Sequence, residues 1–160
     1  VEISFSPSPV YTPHGREHAR AEGLAAISQN DLQWYFFLGQ LSISHAGIGI
    51  GPPWGWVPLF DAMFCVRNAM AVARTGSGTW KIDFTENAEL IVFDFDRGSL
   101  RVAPTYLDTV VHCSADEFVA AGTGFITGEL RRVLAEYPSL ARNQAARTLA
   151  RDVGLELPAG

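Results

Sequence analysis

Trp80-Lys81-Ile82-Asp83-Phe84-Thr85-Glu86-Asn87-Ala88-Glu89-Leu90-Ile91-Val92-Phe93-Asp94-Phe95-Asp96-Arg97-Gly98-Ser99-Leu100-Arg101-Val102 is the stretch that decides the fold. Trp80, Ile82 and Phe84 alternate with Lys81 and Asp83, the pattern of a strand with one face buried and the other in water. Glu86-Asn87 is turn chemistry. Ile91, Phe93 and Phe95 then share one face of a second strand, and Asp96-Arg97-Gly98 turns the chain back. Leu100 and Val102 alternate with Arg101 and Ala103 in a third. Connections this short join antiparallel neighbours, because a parallel pair needs a crossover of a dozen residues or more. The stretch predicts a meander, which a last strand over Leu107 to Cys113 extends.

Helical patterns flank it. From about Val57 to Arg74 the chain is apolar almost all round, with Leu59, Phe60, Met63, Phe64, Val66, Met70 and Val72. Such a helix is buried on most of its circumference, and Gly76 and Gly78 end it. Ser114 and Glu117 stand at capping-box spacing. After them Phe118, Gly122, Phe125, Ile126, Leu130, Val133, Leu134 and Tyr137 recur at helical spacing as far as Pro138. A shorter helix is expected over about Asn143 to Val153. Toward the N-terminus, Ile3 and Phe5 mark a short strand, Pro7, Pro9 and Pro13 an extended path, and His14 to Ile27 a weak helical pattern. Leu32, Trp34, Phe36 and Leu38 share one parity and Leu41, Ile43 and His45 the other, so the chain bulges or turns back at Gly39-Gln40. The expected architecture is α+β: a mainly antiparallel five- to six-stranded sheet, with a buried central helix and a long C-terminal amphipathic helix packed on one face. Residues 1–154 are expected to form a single domain and 155–160 a tail.

Composition narrows the function classes. The chain has 160 residues, 48% hydrophobic and 18% charged, which is too apolar and too weakly charged for intrinsic disorder. No apolar run approaches ~18 residues, so no membrane span is expected. The first ten residues show no basic stretch leading into an apolar one, so no secretory leader is expected either. A net charge of −5 argues against nucleic acid as a partner, since phosphates call for a basic patch. The charge is uneven: residues 1–130 carry 14 acids and 7 bases, residues 131–160 carry 3 acids and 5 bases. Eleven of the 12 bases are Arg, a usage typical of GC-rich bacterial genomes. Cys65 and Cys113 lack the spacing of a zinc or redox motif, and buried free thiols in a reducing, cytoplasmic setting are expected.

Several constellations invite chemistry. Gly47-Ile48-Gly49-Ile50-Gly51 has the wrong spacing for a dinucleotide loop, and Pro52-Pro53 follows where a helix should receive the phosphate. A close backbone crossing or a bulged strand end accounts for these glycines. His14 and His18 stand four apart with no third ligand near. His112 and Cys113 are adjacent on a strand and point to opposite faces, so they cannot pair as base and nucleophile. Asp94 and Asp96 share a strand face as a D-x-D metal motif would, but Asp96-Arg97-Gly98 is also ordinary turn chemistry. No catalytic residue, metal or cofactor is expected. Two features carry more. Asp83, Glu86, Glu89, Asp94 and Asp96 fall within 14 residues that contain no base, which makes either a solvated hairpin face or a docking surface for a basic partner. Trp54 and Trp56 stand on a loop stiffened by Pro52, Pro53, Gly55 and Pro58, either as a plug for the sheet end or as a rigid contact anchor.

Pro52-Pro53-Trp54-Gly55-Trp56-Val57-Pro58, Ile82-Asp83-Phe84-Thr85-Glu86-Asn87 and the stretch from Phe118 through Pro138 cover about half of the chain. In these segments it resembles the small single-domain immunity proteins of bacterial polymorphic-toxin systems. That resemblance implies a cytosolic, acidic α+β domain that neutralises a basic toxin domain by occluding its active site, and it assigns no site residue. The competing expectation is a small-molecule enzyme or carrier. Its pocket would lie between sheet and helix, lined by Trp34, Phe36, Trp80 and Phe93, with Asp61, His45 or His112 as polar groups.

Overall fold

The computed structural model describes residues 1–10, 21–84 and 88–158. Among them the chain runs β1 (Glu2–Pro7), α1 (Gln29–Tyr35), β2 (Leu38–His45), β3 (Ile48–Gly49), β4 (Val57–Pro58), α2 (Leu59–Thr75), β5 (Ser77–Phe84), β6 (Glu89–Asp96), β7 (Ser99–Pro104), β8 (Val111–Ser114), α3 (Ala115–Glu136) and α4 (Gln144–Asp152). Short 3-10 segments cover Ala21–Ala26 and Pro138–Arg142. The fold is α+β with antiparallel pairing throughout, as expected. The single sheet of five or six strands is corrected to two sheets of four strands each.

The meander β5-β6-β7-β8 is one of them, with its strands in sequence order. Ile82, Phe84, Ile91, Phe93, Phe95, Leu100, Val102 and Val111 are buried on its inner face. The outer face carries the cross-strand row Thr79, Asp94, Arg101 and His112. The other sheet is built around β2, which pairs with β1 and also with β3 and β4. Its β1–β2 ladder, Glu2 opposite Ser44 through Pro7 opposite Gly39, joins segments far apart in sequence. No local pattern announces such a pairing.

Helix α2 is buried along most of its length, as its all-round apolar sequence requires, and packs against β5 and α3. It starts at Leu59 rather than Val57 because Val57 and Pro58 are taken up pairing with Gly39 and Leu38. With 17 residues against the 8 of β5, helix and strand each span about 26 Å, so they lie back to back along the whole meander. The helix ends at Gly76, whose φ of 87° closes it and whose carbonyl accepts from the Arg97 N–H at 2.9 Å. Helix α3 crosses α2 at Gly122. A Cβ there would stand 2.6 Å from Met70 Sδ and 2.9 Å from Val66 Cγ1, so the missing side chain sets the helix spacing.

Other expectations are revised. The run from Leu32 to Leu38 is not a strand: Gln29–Tyr35 is helical, and the Ser28 side chain caps it by accepting from the Asp31 N–H. Gly39-Gln40 is neither bulge nor hairpin but lies within continuous β2. The parity change falls instead at the helix–strand junction, where Phe37 takes a φ of 54°. The strand expected over Leu107 to Cys113 covers only Val111–Ser114, and a loop precedes it. The capping box stands as read, with Ser114 Oγ accepting from the Glu117 N–H and Glu117 Oε2 accepting from the Ser114 N–H. Of the pattern from His14 to Ile27, residues 11–20, including His14 and His18, lie outside the described residues, as does the turn at Glu86-Asn87. Leu155 and Leu157 pack against the core.

Candidate functional site

The meander has two ends. At one, which we call the loop end, Phe84 closes β5, Glu89 opens β6 and Pro104 closes β7. The segment after β3 arrives here across β2. Ile50 and Gly51 both donate their N–H groups to the Ile43 carbonyl, at 2.8 and 3.1 Å. A Cβ on Gly51 would fall 2.7 Å from the Ile43 nitrogen, so this is the close backbone crossing that the glycines suggested. Pro52-Pro53 then swings Trp54 onto the meander, its ring centroid 4.9 Å from Phe84 and 5.3 Å from Tyr106. The Tyr106 hydroxyl donates to the Ile50 carbonyl at 2.7 Å, tying the β7–β8 loop to the other sheet. Trp56 stacks on Trp54 with centroids 5.6 Å apart and planes 29° apart, and stays partly exposed. Both indoles are partly exposed; Trp54 packs on the end of the sheet, and among the aromatic rings Trp56 touches only Trp54.

Three carboxylates belong to this end. Asp83 is exposed beside Phe84, Glu89 accepts from the Thr105 hydroxyl, and Asp108 is exposed in the loop before β8 between Leu107 and Val110, themselves 41% and 43% exposed. Burial, and then the charge of Glu89, push the Tyr106 phenol above its ordinary range, so it stays a neutral donor. The segments 50–58, 82–90 and 104–111 contain no Lys or Arg.

At the opposite, turn end the acids are matched. Thr79 donates to Asp94 Oδ1 at 2.8 Å and Arg101 to Asp94 Oδ2 at 3.2 Å, while Asp96 lies 3.7 Å from the Arg97 Nε. Strand β6, with 8 residues, sets Asp96 about 23 Å from Glu89. The acidic run is therefore not one patch. The structure brings Trp54, Trp56, Asp83 and Glu89 to one end and places Asp94 and Asp96 at the other, and Glu86 lies outside the described residues. Asp108, Tyr106 and Phe84 join the site without having been singled out. Asp108 was hidden because Leu107 to Cys113 alternates like a strand, although Pro104-Thr105 ahead of it is a signal for a loop.

No family model, curated protein or solved structure matches the chain.

The remaining candidates are scattered. Trp34 stands 44% exposed on α1, whereas Phe93 is fully enclosed and packs on Phe118 with centroids 5.4 Å apart. Phe36 is buried, and Trp80 is half-buried on the inner face with its indole nitrogen unpartnered among the described residues. His112 lies on the outer face beside Arg101, and His45 at the end of β2. Trp80 and Phe93 lie on the inner face of the meander and His112 on the outer, so these side chains do not all face one space. Two open grooves, of about 490 Å³ beside Tyr137 to Arg142 and about 370 Å³ between β1 and α3, involve none of them. Asp61, in the first turn of α2, accepts from Gln33 at 3.2 Å and faces the Cys65 thiol at 4.0 Å. Burial raises the Asp61 carboxyl, and the Gln33 hydrogen bond partly offsets this. Burial likewise pushes up the Cys65 thiol, helped by the charges of Asp61 and Asp83, and burial raises Cys113. Neither sulfur is a thiolate at neutral pH, the form a nucleophile needs. Among the described residues no group of three or more His, Cys, Asp or Glu is arranged to hold a metal ion, and no helix is long and apolar enough to cross a membrane.

Proposed function

We propose that this chain is a non-enzymatic binding domain that holds a basic protein partner against the loop end, in the way an immunity protein covers the active site of a toxin domain. One observation carries this reading: the two ends of the meander treat charge differently. Asp94 and Asp96 are met by Arg101 and Arg97, while the exposed Asp83 and Asp108 at the loop end stand in no ion pair among the described residues, at the end that holds a partly exposed tryptophan. A field of one sign accelerates capture of an oppositely charged partner, and a rigid aromatic then supplies the desolvated contact that holds it. The protonated thiols favour binding over nucleophilic chemistry. The resemblance to immunity proteins supplies the kind of partner.

The test is association kinetics with the protein captured on the immobilised chain. Reversing Asp83, Glu89 and Asp108 to Lys is expected to slow association at least about tenfold at low salt, and added salt to narrow the gap. Reversing Asp94 and Asp96 should change the rate by less than about twofold. Equal slowing by both sets refutes the loop end as the interface. A partner whose own activity is unimpaired in the complex refutes the inhibitory role.

A further inference from the structure

Strand β1 borders its sheet. It pairs with β2 on one side and, among the described residues, with no strand on the other. The register tells which backbone groups face that open side, because residues of an antiparallel ladder alternate between bonding across the pair and pointing away from it. The Ser8 N–H donates to the Leu38 carbonyl at 3.0 Å, in the same register, so Ser6, Ser4 and Glu2 also bond toward β2. Ile3 and Phe5 therefore turn their N–H and C=O groups outward. Ile43, opposite Ile3, has the same phase: its carbonyl accepts from Ile50 and Gly51 on the far side of β2. Phe5 is only 7% exposed, and a backbone donor and acceptor so placed call for a partner. There is room for one. The groove of about 370 Å³ lies between β1 and α3, where a Cβ on Gly124 or Gly128 would meet nothing within 4 Å.

The other strand edges are guarded. β5 carries exposed Lys81 and Asp83, β8 has four residues, and β3 and β4 have two each. β1 has no charge after Glu2, and its proline comes only at the last residue. It also complements itself. Turned about a two-fold axis through Ser4, the strand sets Ile3 opposite Phe5 of a second copy and Phe5 opposite Ile3, so every outward N–H and C=O of these residues is answered. Glu2 then faces Ser6, and no like charges are opposed. We propose that β1 is a self-association edge, along which two copies of this chain join by antiparallel pairing centred on Ser4 and merge their four-stranded β1–β4 sheets into one.

Sedimentation velocity on the full chain, from low micromolar to several hundred micromolar, is expected to show a monomer–dimer equilibrium. Ser4 is exposed, and on the axis it faces its own copy with Cβ atoms about 5 Å apart. Ser4→Lys and Ser4→Glu should therefore each weaken the dimer about tenfold by setting like charges against one another. An equimolar mixture of the two variants should restore it as a heterodimer. Ser6→Lys, opposite Glu2 of the second copy, should tighten it about twofold. Circular dichroism confirms folding, and Ser6→Glu supplies the like-charge test should a Ser4 variant not fold. A chain that is monomeric at every concentration overturns the proposal. A dimer indifferent to either charge at Ser4 is built on another surface and overturns it as well. Weakening by both variants without rescue in the mixture overturns the two-fold register at Ser4.

Discussion

The two ends of the β5–β8 meander are made from the same four strands and carry the same kinds of acid, yet they present different surfaces. At the turn end the chain reverses tightly through Arg97 and Gly98, and Asp96 and Asp94 each find a guanidinium, on the turn and across the ladder. At the loop end the β7–β8 connection is longer, and Trp54, from outside the meander, packs against Phe84 and Tyr106. The contrast shows how poorly charge along a sequence maps onto charge on a surface. Glu89 and Asp94 are close in sequence but about 16 Å apart on the strand, and their environments are set by neighbours from other strands and loops.

The largest effect that would sharpen this contrast lies within the tryptophan pair. Trp54→Ala should cost about 3 kcal/mol in a urea titration, because it opens a cavity against Phe84 and Tyr106. Trp56→Ala should cost less than about 1 kcal/mol, having one ring neighbour and partial exposure. Equal losses would mean that the two indoles form one plug and that the loop end offers no separate contact anchor. At the turn end, Ser114→Ala should cost about 1 kcal/mol by removing the cap of α3. Ser114 also pairs with Ser99, and the Ala115 N–H bonds the Gly98 carbonyl, so the loss should appear as faster hydrogen exchange around Gly98 as well. Unchanged exchange there would separate the cap from the turn.

The smallest effect is one of sign. Hydrogen bonds from the Ser114 backbone and hydroxyl hold the Glu117 carboxyl below its ordinary value, so its contribution is present above that value and is lost as pH falls through the lowered one. Asp61, beside the loop end, is raised by burial. Its contribution is full below the ordinary aspartate value and is lost as pH rises through the raised one. Relative to Glu117→Gln the wild type should therefore lose stability toward acid, and relative to Asp61→Asn it should lose stability toward neutral pH. Melting temperatures across this range check both, and slopes of the same sign would remove the electrostatic difference between these two carboxyls.

Local pattern was enough where neighbours in sequence are neighbours in space. The meander and the Ser114 capping box were legible for that reason, each being decided within a few residues. Leu32 and Phe36 show how the same logic fails. A spacing of four preserves parity on a strand and also stacks residues on one face of a helix, so the buried pair fits both, and Trp34 between them tells the two apart only by being exposed. The second sheet was illegible because β1 and β2 are joined by register alone across a long stretch of chain. The site was half legible. The proline and glycine residues around Trp54 and Trp56 marked a stiff aromatic loop, but which acids stand beside it depended on strand direction, and Asp108 on a loop that alternates like a strand.

Asn143, wholly buried, accepts from the Ala145 N–H to start α4 and donates both its amide hydrogens to Leu24 and Ile27, 119 and 116 residues earlier in the chain. The carbonyls at the end of the first 3-10 segment thus have their partner more than a hundred residues later. A ribosome adding about 5–20 residues per second takes about 6–24 s to travel from one to the other. Over that interval Leu24, which the finished molecule shields completely, waits without its final surroundings, while the β5–β8 strands emerge next to their own partners and close in the order they are made. The segment around Leu24 and Ile27 therefore reaches its final hydrogen bonding only after Asn143 has been made.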